Sequence, residues 1–229
     1  MKKLYFLILV LGAFLIGCKS KDSVTEAVNE TPTNTVTKKL SATYSEDSTK
    51  KSIFVGNVES DYAGNFKLTY TEGTTSSSFT VKPGMIKMDT DTVGEKVATI
   101  TYNNLTTTVS ALVCTTTSAF VVSGNTITEY KGNDETVVVP KYIGGEAITI
   151  LGKETFKDKT SIKSVLMPEI LEIENGHWTS NSDYSGAFYR CTNLISITLP
   201  KATSIGNNAF TECESLTTIS LPKAINIGV

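Results

Sequence analysis

Residues 187–206 read AFYRCTNLISITLPKATSIG, and residues 209–228 read AFTECESLTTISLPKAINIG. The two segments carry the same residue at matched positions, and every matched pair is separated by the same period of twenty-two. The matched pairs are Phe188 and Phe210, Cys191 and Cys213, Leu194 and Leu216, Ile197 and Ile219, and Pro200 and Pro222. A repeat period in the low twenties is typical of a solenoid, in which each coil buries its apolar edge against the next coil.

Weaker copies of the same pattern precede these two segments. Val165 and Pro168 occupy the strand and proline positions of one earlier coil, and Val137 and Pro140 occupy those of another. Within each coil, apolar residues alternate inward on a short strand, which the proline ends because it cannot donate to a ladder. The period therefore predicts parallel strands stacked about 4.8 Å apart. It also predicts an exposed face made of the outward residues Ser196, Thr198, Thr218 and Ser220.

The pattern IGxxAFxxCxxLxxIxLP resembles the BspA-like leucine-rich-repeat family of bacterial surface proteins, over about residues 123–229. The earlier copies depart from the family pattern, since Lys159 stands where the repeat has cysteine and extra residues interrupt the spacing. The resemblance implies a leucine-rich-repeat domain, here bounded at residues 120–229, and a role in adhesion. It also implies that Cys191 and Cys213 are buried in the repeat.

An insertion interrupts the repeats before the first regular coil. The stretch from Ile173 to Ala187 is ten residues longer than the equivalent stretch from Ile205 to Ala209. The insertion contains Trp178 and Tyr184, and Arg190 follows it; residues of these three types dominate binding hot spots. Inserted loops commonly fall on a binding face of a solenoid. These three residues are therefore candidate anchors, and the alternative is a loop whose Trp178 folds back over irregular coils.

The segment 1–17 indicates a secretory signal, because two lysines precede a short apolar run. The run ends in Leu-Ile-Gly-Cys, which looks like the lipobox of bacterial lipoproteins. The resemblance implies a diacylglycerol on Cys18 and cleavage before it. Residues 18–37 are polar and rich in threonine, which predicts a flexible tether.

Residues 38–114 favour a small β-sandwich, with alternating apolar and polar residues and turn candidates at Glu72-Gly73 and Asn103-Asn104. The segments TYTEGTT (69–75), TVGEK (92–96) and ITY (100–102) resemble those of a bacterial Ig-like domain. That resemblance implies a spacer or adhesion module. The predicted fold is mainly β: an Ig-like β-sandwich followed by a short leucine-rich-repeat solenoid.

The composition argues against several classes of function. A net charge of −2 does not supply the basic surface that nucleic-acid binding requires, and Arg190 is the only arginine. Because His177 is the only histidine and no CxxC is present, we expect no metal site, no cofactor and no catalytic residue. The carboxylate pairs, each read as solvated surface with a glycosidase as the alternative, are Asp89 with Asp91 and Glu169 with Glu172.

The sequence thus predicts a bacterial cell-envelope protein, lipid-anchored and exposed at the outer surface, that is not an enzyme. The favoured role is an adhesin that binds host matrix or cell-surface proteins, neighbouring cells or glycans through the solenoid. The alternatives are a passive spacer without a ligand and a polysaccharide-processing accessory protein. The last repeat stops at Ile227-Gly228-Val229, before its Ala-Phe, which predicts a chain truncated at its C-terminus. Whether Cys191 and Cys213 pair stays open at this point.

Overall fold

The computed structural model describes residues 27–28, 36–45, 52–177 and 185–228, which form strands and turns with very little helix. The predicted mainly β class is confirmed. The first eight strands are β1 (Ala27–Val28), β2 (Lys38–Tyr44), β3 (Ile53–Phe54), β4 (Phe66–Glu72), β5 (Thr75–Thr80), β6 (Ile86–Lys87), β7 (Gly94–Tyr102) and β8 (Leu105–Cys114). One helical turn, α1 (Glu59–Tyr62), and a 3-10 turn (Ala63–Asn65) connect β3 to β4.

These eight strands form two four-stranded sheets, ordered β1-β2-β4-β5 and β3-β8-β7-β6. Asn103 and Asn104 have positive φ angles of 48° and 61° and close the hairpin of β7 and β8, as the sequence predicts. The other predicted turn is wrong by one residue. Glu72 still pairs with Thr75 at the end of the ladder, so the turn consists of Gly73 and Thr74. Gly73 takes the left-handed φ of 62° that a tight hairpin turn requires.

Both sheets contribute to one apolar core. Burial alternates along β2, where Leu40, Ala42 and Tyr44 are buried, and along β7, where Ala98 and Ile100 are buried. This period of two follows from the pleat, which points successive side chains to opposite faces. The core side chains of the two sheets form a single buried cluster.

The remaining strands are β9 (Phe120–Ser123), β10 (Thr126–Tyr130), β11 (Thr136–Val138), β12 (Tyr142–Ile143), β13 (Glu146–Ala147), β14 (Ile150–Leu151), β15 (Ser164–Leu166), β16 (Glu172–Ile173), β17 (Ser196–Thr198), β18 (Ser204–Ile205), β19 (Thr218–Ser220) and β20 (Asn226–Ile227). A 3-10 turn (Thr117–Ala119) precedes β9. One parallel sheet is ordered β11-β15-β17-β19. A second has the order β20-β18-β16-β14-β10-β9, and within it only β9 and β10 are antiparallel. Each coil therefore contributes one strand to each parallel sheet.

The strand register reproduces the repeat period. Ile197 pairs in parallel with Ile219, one full period later in the chain, which confirms the predicted pairing. Val165 pairs with Ile197, and their spacing exceeds the period by ten, the predicted length of the insertion. The spacing of Val137 and its partner Val165 exceeds the period by six, because the hairpin of β12 and β13 lies within that coil. The extra residues of both coils therefore leave the parallel pairing of the strands intact.

Aromatic rings stack along the inside of the coils. The rings of Phe120, Tyr130, Phe156, Phe188 and Phe210 follow one another with centroid separations of 5.3, 5.1, 4.9 and 5.4 Å. We call this row the ring ladder. Phe156 and Phe188 are nearly parallel, at 5°, and both are fully buried. The ladder extends the two-phenylalanine repeat of the sequence through the irregular coils, where Tyr130 replaces phenylalanine.

The last described coil is less buried than the pattern predicts. Ile197 and Ile219 occupy the same inward position, yet Ile197 is fully buried and Ile219 is 45% exposed. Ile225 and Ile227 are also exposed. The difference arises because an inward side chain needs a coil on each side, whereas β19 and β20 are terminal among the described strands of their sheets and have a neighbouring coil on one side only.

The two groups of strands meet at the start of the first parallel sheet. The Thr115 N–H donates to the Val138 carbonyl at 2.9 Å, and the Val138 N–H donates to Thr115 Oγ1 at 3.0 Å. Leu112 and Cys114 of β8 are buried against Val138, and Phe54, Val93 and Leu166 pack around them. The segment after β8 therefore pairs with the free edge of β11 and covers it.

Candidate binding surface

Five hydroxyl side chains lie side by side on the outer faces of β15, β17 and β19 in the first parallel sheet. We call this set the hydroxyl face, and it consists of Ser164, Ser196, Thr198, Thr218 and Ser220. Ser196 pairs with Ser164 on one side and Thr218 on the other, and its Oγ donates to Ser164 Oγ at 3.0 Å. Thr218 and Ser220 are exposed, whereas Ser196 and Thr198 are half-buried between neighbouring strands. The structure thus brings together the four predicted residues and adds Ser164.

The junction with the first eight strands limits the hydroxyl face at one end. Val138 and Leu166 stand in the same outward row as Thr198 and Ser220. Val138 is buried and Leu166 half-buried, because they pack in the cluster that contains Leu112 and Cys114. The open part of the sheet therefore begins beside the junction and continues to β19.

The insertion that carries Trp178 and Tyr184 lies outside the described residues, but its two ends are described. His177 and Ser185 are joined by three hydrogen bonds. The Ser185 N–H donates to the His177 carbonyl at 2.9 Å, the His177 N–H donates to Ser185 Oγ at 2.9 Å, and Ser185 Oγ lies 2.6 Å from His177 Nδ1. No local sequence pattern relates these two residues, which are eight positions apart and meet only in the fold.

The pairing of serine and histidine resembles the nucleophile and base of a hydrolase, but its surroundings do not suit catalysis. Ser185 is fully buried, and its oxygen already accepts the His177 N–H. A nucleophile must reach its substrate. The two residues instead form a stem that holds the ends of the insertion together.

Arg190, the third predicted anchor, is already engaged within the coils. Its Nε lies 3.1 Å from Glu212 Oε2, its Nη1 lies 3.9 Å from Asp158, and its guanidinium stacks over the Tyr189 ring at 5.5 Å. Asp158, Arg190 and Glu212 occupy the same place two residues after a ring-ladder phenylalanine. All three have left-handed φ angles, of 61°, 59° and 58°. Their alternating charges form a column at this turn.

The repeat cysteines are hydrogen-bond donors to the preceding coil. Cys191 Sγ donates to the Phe156 carbonyl, and Cys213 Sγ donates to the Phe188 carbonyl, each at 3.0 Å. Both are thiols rather than a disulfide, which answers the question that the sequence left open. Burial raises the pKa of Cys191 to about 12 and that of Cys213 to about 11, so neither supplies a thiolate near neutral pH.

Lys159 performs the task of the cysteine in the irregular coil. Its Nζ donates to the Gly132 carbonyl at 3.2 Å and lies 5.7 Å above the centre of the Tyr130 ring. The longer side chain thus reaches the coil before it, as the two thiols do. In sequence this lysine departs from the repeat pattern, but the inter-coil hydrogen bond is retained.

One carboxylate of each pair considered for glycoside hydrolysis lies beside a lysine. Glu169 forms an ion pair with Lys201, and Asp89 Oδ2 lies 2.9 Å from Lys96 Nζ. The hydrogen bond from Lys96 lowers the pKa of the Asp89 carboxyl. The charged form of Asp89 is therefore favoured, which does not suit a general acid. Within residues 36–45, 52–177 and 185–228, no three acidic, cysteine or histidine side chains group together as metal ligands.

Comparisons with known proteins concern the repeats. The family model described as BspA type leucine rich repeat region (6 copies) matches residues 181–228, which confirms the predicted repeat type there. A crystal structure of a T. pallidum leucine rich repeat protein is similar at 18% identity and a TM-score of 0.27, over 48% of this chain and 79% of that one. No curated protein matches the sequence. In the described part of the chain, no helix has the length and apolar character needed to cross a membrane.

Proposed function

We propose that this chain is a lipid-anchored bacterial cell-surface protein that acts as an adhesin. It binds host or neighbouring-cell proteins or glycans through its stacked coils. The observation that carries the proposal is the hydroxyl face, which is an ordered and open polar surface on repeats that match a BspA-type region. Solenoids present such extended surfaces for binding because their outward residues are free of any role in the core.

The chemistry of the hydroxyl face indicates the kind of ligand. Each serine or threonine hydroxyl donates one hydrogen bond and accepts two, and the rungs repeat about every 4.8 Å. None of the five residues is charged. Such a surface suits uncharged polar groups, such as the hydroxyls of a glycan or the backbone of an extended peptide. Binding should therefore depend little on salt concentration.

The rest of the chain fits a role in holding the coils away from the membrane surface. In this proposal, residues 38–114 form an Ig-like spacer and residues 18–37 form the tether that lifts it from the lipid, although β1 (Ala27–Val28) within that tether pairs with β2. Cys18 carries the anchor. Trp178 and Tyr184 remain second candidates for binding anchors, since residues of these types dominate hot spots. A binding role also agrees with the buried, hydrogen-bonded state of Ser185 and Cys191, which are poor nucleophiles.

The anchor is testable in a cell that processes bacterial lipoproteins. We expect the native chain to partition into the detergent phase of a Triton X-114 extract, because two or three acyl chains bind a bilayer stably. Cys18→Ser should move most of the chain into the aqueous phase. A Cys18→Ser chain that stays in the detergent phase would mean that the anchor lies elsewhere.

The binding function is tested by titrating the chain over immobilised matrix proteins, mucins and a glycan array. An adhesin should bind at least one class in a saturable way that changes little between about 50 and 300 mM salt. Binding to none of these probes supports the alternative of a passive spacer. Cleavage of a bound polysaccharide, rather than binding alone, supports the alternative of a polysaccharide-processing accessory protein.

A further inference from the structure

Strand β5 (Thr75–Thr80) forms an open edge of the first sheet. It pairs with β4 along its whole length, and no other described strand pairs with it. Five of its six residues are exposed, and only Phe79 is half-buried. An edge strand of this length offers a row of unpaired N–H and C=O groups to another strand.

The alternation of hydrogen bonds along β5 shows which of its backbone groups face away from β4. Glu72 and Thr75 close the two-residue hairpin, and the Val81 N–H donates to the Phe66 carbonyl at 2.9 Å. Alternate residues of an antiparallel strand bond to the same neighbour. Thr75, Ser77 and Phe79 therefore bond to β4. The backbone groups that point to the open edge belong to Ser76, Ser78 and Thr80.

Strand β5 lacks the features that protect exposed edges. Natural edge strands carry lysine, proline or a bulge, or are very short. The sequence of β5 is TSSSFT, which has no charge and no proline, and its pairing with β4 runs without a shift of register. In contrast, β3 and β6 of the other sheet have two residues each.

We propose that two copies of this chain associate through β5. The strands run antiparallel about a two-fold axis at Ser78, which joins the two four-stranded sheets into one. This register places Ser78 opposite its own copy and Ser76 opposite Thr80 of the second copy. It forms about six backbone hydrogen bonds, because each outward residue exchanges a pair.

Two side-chain features favour a second copy over an unrelated strand. The absence of charge means that the two-fold pairing brings no like charges together. The same register sets small Ser77 opposite Phe79 of the second copy. The Phe79 ring already packs on Tyr102, at 4.9 Å between centroids, and Tyr102 packs on Tyr70 at 5.4 Å. Pairing thus covers the exposed side of this aromatic group in both copies.

The outer face of the sheet fits the same register. Thr69 and Ser78 hydroxyls lie 2.7 Å apart, and those of Thr71 and Ser76 lie 2.5 Å apart. A second copy continues these rows of hydroxyls across the axis, where the Ser78 hydroxyls meet. Cross-strand hydroxyl pairs of this kind stabilise antiparallel sheets.

The proposal is tested on the full chain in a mild detergent, which shields the apolar N-terminal segment. Sedimentation equilibrium up to about 1 mM protein, a range that detects weak association, should show a monomer–dimer equilibrium. Ser78→Pro removes an outward N–H and should weaken the dimer at least about tenfold. Ser78→Ala keeps that N–H and loses only the hydroxyl pair at the axis, so it should weaken the dimer far less than proline does. Circular dichroism of each variant checks that the sheets persist.

A second substitution keeps the test decisive if proline disturbs β4. Ser78→Lys places two lysines opposite each other at the axis and should also weaken the dimer. Its matched control is Thr101→Lys on β7. Thr101 is also exposed, but it does not lie on an open edge: it pairs with Thr106 of β8, and its N–H donates to the Met85 carbonyl. A chain that stays monomeric at all concentrations overturns the proposal. So does a dimer that both Ser78→Pro and Ser78→Lys leave unchanged.

Discussion

Gly206→Ala is expected to lower the free energy of unfolding by about 3 kcal/mol or more, because no space exists for a methyl group. An added Cβ would lie 2.5 Å from the backbone nitrogen of Asn175 and closer still to the Glu174 carbonyl. Both neighbours are backbone of the preceding coil, so relief requires the coils to separate. The melting temperature should fall by roughly 10 °C.

The matched control for this substitution is Gly64→Ala. Gly64 has no atom within 4 Å of an added Cβ and no left-handed φ angle. Thermal unfolding followed by circular dichroism should therefore place Gly64→Ala within about 2 °C of the native chain. A Gly206→Ala chain that melts at the native temperature would contradict the close stacking of the coils.

Phe188→Ala should cost about 3–5 kcal/mol of unfolding free energy. The ring is the fourth of the five in the ring ladder and is fully buried between Phe156 at 4.9 Å and Phe210 at 5.4 Å. Its loss removes two stacked contacts and leaves a cavity that the backbone of neighbouring coils keeps open. Chemical denaturation should show a lower midpoint with an unchanged slope.

Phe210→Ala serves as the control, since it removes the same ring one coil later. Phe210 is half-buried and stacks on Phe188. Its removal should therefore cost about half as much, because both the transfer and the cavity terms shrink with exposure. Equal costs for the two substitutions would show that the ladder is not the buried centre of the repeats.

The sequence predicted those parts of the fold that local pattern encodes. A period in the low twenties implies one rung for each repeat, so it located the strands of β17 and β19 and their parallel register. The spacing between Ile173 and Ala187 gave the length of the insertion, and the register of Val165 with Ile197 agrees with it. The outward serines and threonines of the hydroxyl face follow from the same alternation.

Contacts between coils could not be predicted, because they join residues that no local pattern relates. Lys159 was expected to disturb its coil, but its long side chain reaches the Gly132 carbonyl. The bonds between His177 and Ser185 depend on how the insertion leaves the coil. The pairing of Thr115 with Val138 depends on how the two groups of strands meet. The ion pairs of Arg190 could have been predicted, because the oppositely charged Asp158 and Glu212 occupy the matching positions of the neighbouring repeats.

The central claim is that ligands bind to the hydroxyl face, and Ser196→Arg tests it most directly against Ser204→Arg. Both serines are half-buried, outward residues of the same coil, but Ser196 lies on β17 and Ser204 on β18 of the opposite sheet. With a ligand from the matrix, mucin or glycan panel, Ser196→Arg should weaken binding at least about tenfold, since an arginine there blocks the centre of the face. Ser204→Arg should leave the affinity unchanged. Loss of binding by Ser204→Arg alone, or native affinity in both variants, would contradict the claim.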